Sequence, residues 1–255
     1  MTTARRNPWL RVPRPRPDAG VRVVVLPHAG GTATFFRSWG AALPEWAELT
    51  SVQYPGREDR LAEEPLGDAR AMADGAIDAL ETQRRDGDVR PLVLVGHSLG
   101  ATLAYEVARH LTVAPIRLVV SARVAPTASH GGTLHRGTDD ELVAHIRALG
   151  GTDTRVLDEP EMRDLILPPY RADLRAAETY AHDPHPPLTC PVVALAGADD
   201  PAAGPPEVER WAEVAPAGFR LTVLPGGHFY LLAQQARVLA AVLEGLSGDV
   251  GVGHG

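Results

Sequence analysis

The sequence predicts an α/β architecture with a mostly parallel sheet and helices on both of its faces, and three observations predict it. Short apolar, β-branched runs recur along the chain, segments of helical periodicity separate most of them, and one connection is far too long for a turn. The strand-like runs are Val21 to Leu26, Leu49 to Tyr54, Pro91 to Val95, Ile116 to Ser121, Pro191 to Ala196 and Phe219 to Leu224. A run that is apolar at both parities suits a strand covered on both faces, as in a parallel sheet. With 255 residues, 44% of them hydrophobic and 22% charged, the chain can bury a substantial core as one domain spanning residues 1–255.

Taken in order, Met1 to Gly20 is a Pro- and Arg-rich arm, and the first strand follows it. Between Ala101 and Leu111 the residues Leu103, Val107, Ala108 and Leu111 recur at helical spacing, which predicts a helix with one face on the sheet. Roughly 70 residues then separate Ser121 from Pro191, against the 2–6 of an ordinary connection. An insertion over approximately 125–188 is therefore expected to cover the sheet as a lid. It carries its own helix signals. Thr138 to Glu141 has capping-box spacing ahead of Leu142, Ile146 and Leu149, and a second amphipathic run covers Tyr170 to Tyr180. The Gly-rich tail after Ser247 is expected to fray.

Composition excludes several kinds of chemistry. A formal net charge of -7 offers no overall field for phosphates, so neither nucleic acid nor an anionic membrane is an expected partner. All 25 basic residues are arginine, which removes a Schiff-base lysine and a phosphate-loop lysine. Cys190 is the only cysteine and reads as a buried, inert thiol, and with no Cys cluster no structural zinc site is expected. His182-Asp183-Pro184-His185 lacks a third metal ligand and reads as loop, so no metal or cofactor is expected. The arm lacks the apolar core of an export signal and no run has membrane-spanning length, so a cytoplasmic location is expected; a monomer is expected as well.

The chemistry concentrates at Gly96-His97-Ser98-Leu99-Gly100, which sits between an apolar strand and a helical pattern. A sharp strand-to-helix turn there would hold Ser98 in a strained conformation above the sheet, and flanking glycines would make room for it. The bland alternative is a loop serine that caps the helix. A hydroxyl needs a base, and of ten histidines His228 is placed best, after the last strand and Pro225-Gly226-Gly227. The base needs a carboxylate behind it, and Asp199 and Asp200, after the preceding strand, compete for that position. No carboxylate occurs in Ala122 to Pro126, so the alternative acid position is empty. Two backbone donors must meet a developing oxyanion: Leu99 is one, and Pro27-His28-Ala29-Gly30-Gly31 should supply the other through Ala29, with Gly30 next. Met162 and Tyr170 are candidates for an acyl pocket, although helical spacing of apolar residues also fits plain packing.

These motifs, together with Val52-Gln53-Tyr54-Pro55-Gly56-Arg57-Glu58-Asp59-Arg60, Arg171-Ala172-Asp173-Leu174 and Gly226-Gly227-His228-Phe229, resemble the discrete type II thioesterases that accompany polyketide synthases and nonribosomal peptide synthetases. The resemblance implies an α/β-hydrolase fold with a helical lid insertion, a triad of Ser98, Asp200 and His228, and an acyl group on the phosphopantetheine of an acyl or peptidyl carrier protein as substrate. Pro168-Pro169-Tyr170 and Ala122-Arg123-Val124 depart from the family pattern, which bears on pocket shape more than on chemistry. The charged stretch Arg57 to Arg60 reads more readily as solvated ion pairs than as substrate contacts. Competing readings are an acyltransferase using the same acyl-enzyme, a general carboxylesterase, and a silent binding protein. The last predicts a damaged triad, whereas all three positions are intact.

Overall fold

A computed structural model describes residues 7–128, 131–151 and 154–247. The tail expected to fray after Ser247 lies outside the described residues. Among the described residues seven strands form one sheet: β1 (Leu10–Arg11), β2 (Val21–Leu26), β3 (Ala47–Val52), β4 (Leu92–His97), β5 (Arg117–Ser121), β6 (Val192–Gly197) and β7 (Phe219–Leu224). Eight α-helices accompany them among the same residues: α1 (Arg37–Ala42), α2 (Ala69–Arg85), α3 (Leu99–His110), α4 (Asp139–Leu149), α5 (Pro160–Thr179), α6 (Pro205–Glu209), α7 (Tyr230–Ala233) and α8 (Gln235–Leu243). The sheet order is β1-β3-β2-β4-β5-β6-β7, and every pairing is parallel except that of β1 with β3.

The strands separate two cores by simple alternation. Val24, Leu26, Leu94, Leu118, Val120 and Ala194 pack on one side with α2 and α3. Val23, Val25, Val93, Val95, Val119 and Leu195 pack on the other with Trp39 of α1 and Val238 and Val242 of α8. Both parities are buried, as a parallel sheet covered on two faces requires. Each buried Val or Leu side chain contributes about 1.5–3 kcal/mol by leaving water.

Three elements depart from the sequence expectation or go beyond it. β1 arises inside the Pro-rich arm: Leu10 and Arg11 pair with Val52 and Ser51, and the Gln53 N–H donates to Trp9 O at 2.8 Å. Helix α3 packs on the sheet as expected, and α2 and α5 also pack against it, so that Leu99 to Arg109 are all buried. Its Glu106 and Arg109 are buried as a pair at 3.0 Å, with the Tyr180 hydroxyl donating to the same Glu106 oxygen. Helix α5 starts ten residues before the predicted run at Tyr170 and continues through Pro168 and Pro169.

The segment between β5 and β6 builds a third apolar cluster from Leu142, Val143, Leu157, Leu167, Tyr170 and Leu174. The capping box at Thr138 forms as expected, with Glu141 bonded back to the Thr138 N–H. The chain leaves β2 for β3 on one side of the sheet, while β4 pairs with β2 on the other. The crevice at this reversal is where open α/β sheets hold ligands, and it brings the loop after β2 beside the turn after β4.

Candidate active site

Ser98 is held at φ 54° and ψ −122° between β4 and α3, and its N–H donates to Ser121 O at 2.8 Å. A left-handed φ is costly for any residue with a Cβ, so the surroundings must impose it. Here the glycines do so by permitting contact. A Cβ at Gly96 would collide with the Gly100 carbonyl, and one at Gly100 would collide with Leu26 O of β2. The elbow can be this tight only with glycine at both places. Ser98 itself remains partly exposed.

His228 follows β7 and is buried. Its Nδ1 lies 2.9 and 3.1 Å from the two carboxylate oxygens of Asp200, which is also buried and accepts the Ala202 N–H. Asp199 is exposed and its backbone N–H bonds to Gly226 O, so the structure turns Asp200 and not Asp199 toward the imidazole. Ser98, His228, Leu99 and Ala29 all line one cavity of about 330 Å³. Among the described residues no hydrogen bond joins the Ser98 hydroxyl to His228, and a contact of this kind often tightens only when substrate binds.

The geometry also separates Ala29 from Gly30. The Gly30 N–H donates to Asp173 Oδ2 at 2.7 Å and is therefore occupied. The Ala29 and Leu99 N–H groups have no hydrogen-bond partner among the described residues, and both residues line the cavity. Asp173 in turn takes a bidentate pair from Arg57 at 2.6 and 2.9 Å. Burial works against the Arg57 charge, but Asp173 outweighs it and the guanidinium pKa lies above its ordinary value. Arg57 and Arg60 are 5% and 6% exposed, which corrects the reading of this stretch as solvated ion pairs for the two arginines, whereas Asp59 does pair with Arg11 at the surface. Arg60 pairs with Glu63, donates to Gln53 O and stacks over Trp9.

The remaining walls come from the segment between β5 and β6: His145, Ile146 and Leu149 of α4, and Ile166, Tyr170 and Leu174 of α5. Of the two acyl-pocket candidates, Tyr170 lines the cavity and Met162 is not among its lining residues. Arg123 also lines it, with Nε on Thr102 Oγ1 and Nη2 on Ala177 O, and burial pulls its pKa down to about 10. Cys190 is a buried thiol pushed up to about 11 by burial, and His182 bonds to the Tyr105 hydroxyl.

Two further histidines pack beside the site. His28 lies edge-on to Phe35 and Phe229, and His97 donates to or accepts from Ser121 Oγ at 2.9 Å. Burial, then His228 and Arg57, bring His28 down to about 3; burial, then His228 and His28, hold His97 well below its usual value. Both are neutral in the folded chain, whereas in the unfolded chain each takes up a proton near pH 6.5. The unfolded state thus binds more protons below that pH, and stability is lost as pH falls from about 6.5 toward the folded pKa values. Each histidine contributes a slope of up to about 1.4 kcal/mol per pH unit. Between about pH 6.5 and 5, above the carboxylate range, thermal melts should show Tm falling with pH and a shallower fall for His28→Gln. An identical slope in that variant would show that His28 titrates freely in the fold.

A parallel sheet, a strained serine elbow at its reversal point and a buried carboxylate–imidazole pair beside it define an α/β-hydrolase. The chain belongs to the thioesterase domain family, whose model matches residues 21–246, and it is a hydrolase that acts on thioesters. It is 44% identical over 227 residues to the thioesterase PikA5 of Streptomyces venezuelae, covering 88% of this chain and 80% of that one. Among solved structures it resembles the type II thioesterase BorB from the borrelidin biosynthetic cluster, with 39% identity and a TM-score of 0.85 over 94% of this chain and 98% of that one. It also resembles RedJ, the thioesterase from the prodiginine biosynthetic pathway in Streptomyces coelicolor, with 41% identity and a TM-score of 0.80 over 87% and 89%.

Proposed function

We propose that the protein hydrolyses acyl thioesters from the phosphopantetheine arm of acyl or peptidyl carrier proteins, acting as a type II thioesterase that clears stalled or mis-primed synthases. Ser98 attacks the thioester carbonyl while His228 takes its proton, and Asp200 orients the imidazole and stabilises its charged form. The Leu99 and Ala29 N–H groups hold the tetrahedral oxyanion. The thiol then leaves; its pKa of about 8.5 means that sulfur departs with less proton assistance than an alcohol or amine. His228 next activates water, which releases the acid and regenerates Ser98.

The observation that carries this reading is the convergence of Ser98, His228 and two unpartnered N–H groups on one largely apolar cavity. The segment at approximately 125–188 acts as the lid, and its α4 and α5 side chains supply the walls that receive the acyl chain. The protein works as a monomer. The relatives' printed names, which place two in probable cadicidin and anguibactin biosynthesis and a third in the yersiniabactin NRPS/PKS biosynthetic pathway, favour a carrier-bound substrate.

A direct test compares kcat/KM for a carrier-bound thioester with that for a simple aryl ester of the same acyl group. Contacts with the pantetheine arm and carrier worth about 1.4 kcal/mol would favour the thioester by at least about tenfold. Equal or better turnover of the aryl ester would replace this reading with a general carboxylesterase. Products analysed with and without an alcohol or amine acceptor separate hydrolysis from acyl transfer: free acid alone is expected.

A further inference from the structure

The loop from Pro27 to Ala33 is held by several hydrogen bonds, one of them from the Tyr54 hydroxyl to Pro27 O at 3.2 Å. The Gly31 N–H closes a turn onto His28 O at 2.9 Å, and the Ala33 N–H donates to Gln53 Oε1 at 2.9 Å. The Gly30 N–H donates to Asp173 Oδ2 at 2.7 Å, while Arg57 Nη1 donates both to that oxygen at 2.6 Å and to Gly31 O at 3.3 Å. Gln53 and Arg57 are also tied to each other, since Gln53 Nε2 donates to Arg57 O. Asp173 is fully buried on α5, and Arg57 comes from the loop after β3. The loop is therefore clamped from two directions, by a segment following the sheet and by a helix of the long insertion.

The clamp captures the Gly30 N–H and the Gly31 carbonyl and leaves the Ala29 N–H without a partner among the described residues. With Gly30 N–H and Gly31 O both captured, the peptide planes on the far side of Ala29 cannot rotate without breaking a buried charge-assisted bond. Nothing in this arrangement requires Arg57 or Asp173 to touch substrate. We infer that the buried Arg57–Asp173 pair is the positioning device of the oxyanion hole: it fixes the loop through Gly30 and Gly31 so that the Ala29 N–H stays oriented for the reacting oxygen. The inference rests on the proposed roles of Ser98 and Ala29. It makes turnover depend on contact between α5 and the loop, beyond any role of α5 in enclosing the acyl chain.

Asp173→Asn keeps an oxygen acceptor for the Gly30 N–H and removes the charge that holds Arg57. Arg57→Lys keeps a charge opposite Asp173 and removes the paired geometry and the reach to Gly31 O. Melting curves establish that each variant is folded at the assay temperature. The readouts are kcat and KM on an acyl-pantetheine thioester, together with affinities for two inert mimics of it. One is a trifluoromethyl ketone, whose adduct with Ser98 carries the tetrahedral oxyanion; the other is the matching amide, which stays in the ground state. Displacing one oxyanion donor rather than deleting it should lower kcat by about 10- to 100-fold, with ketone affinity falling in parallel. KM and amide affinity should stay within about threefold.

Unchanged kcat in a folded variant overturns the inference, and so does an equal loss of ketone and amide affinity, which marks α5 as pocket wall only. If Asp173→Asn leaves an uncompensated buried charge and does not fold, Arg57→Lys decides by the same criteria. The underlying reading fails separately: wild-type protein would then show no acyl-pantetheine hydrolysis that Ser98→Ala abolishes, and the inference would fall with it.

Discussion

Ser98→Ala should lower kcat on an acyl-pantetheine thioester by at least about 10³-fold and leave the fold intact. The fold is insensitive because the strain at this position belongs to the backbone. Alanine keeps the Cβ that makes φ 54° costly, and the bond from the residue 98 N–H to Ser121 O does not involve the side chain. Loss of Oγ therefore removes the proposed nucleophile and little else. Residual turnover should come from the two backbone donors and from binding, which do not need the hydroxyl. The variant should melt with wild type and fail to form the acyl-enzyme. Mass measurement after a brief exposure to substrate checks this directly, because the acyl group should appear on the peptide containing residue 98 in wild type and nowhere in the variant. Unchanged hydrolysis by the variant would falsify the assignment of Ser98.

Much of this site was legible in the sequence because its parts are local. The elbow needs two glycines at fixed offsets, and the contacts of Gly96 and Gly100 are those that the spacing predicts. Strands β2 and β7 match the predicted runs residue for residue, since both are bounded by turn residues. Other features depend on partners remote in sequence. β1 exists because Leu10 and Arg11 find the edge of β3, not because two residues in a Pro-rich arm favour extension. The burial of Leu99 to Arg109 in α3 depends in part on α5, which lies far along the chain. The Arg57–Asp173 pair joins residues 116 apart, so no spacing rule connects them. A local signal existed only in part: an arginine next to a Pro-Gly turn is typical of a surface, and its burial becomes visible once the insertion folds back. The amphipathic run in the sequence begins at Tyr170, whereas α5 continues through Pro168 and Pro169, although a proline removes a helix hydrogen bond and usually ends the element. Its flanking turns are instead held by packing of Leu167, Tyr170 and Leu174 in the third cluster.

The choice between two adjacent aspartates leads to the second large effect. Asp200→Asn should lower kcat by about 10³- to 10⁴-fold, whereas Asp199→Asn should leave it within about threefold. In the folded chain Nδ1 of His228 faces both Asp200 oxygens, and a carboxylate there can only accept. The proton is thereby kept on Nδ1 and the lone pair on Nε2 is left for the Ser98 hydroxyl. An amide at residue 200 can turn its NH2 toward the ring, stabilise the opposite tautomer and withdraw the charge that offsets an imidazolium. The damage is electronic, so shape and packing should survive. Asp199 has no such position, since its side chain is exposed and only its backbone bonds to the turn before His228. Measuring kcat for both variants beside their melting temperatures separates the two residues. Equal loss in Asp199→Asn and Asp200→Asn would mean that the shared turn, through its bonds to Gly226 and Ala202, positions the base, and that the carboxylate facing the imidazole has no role of its own.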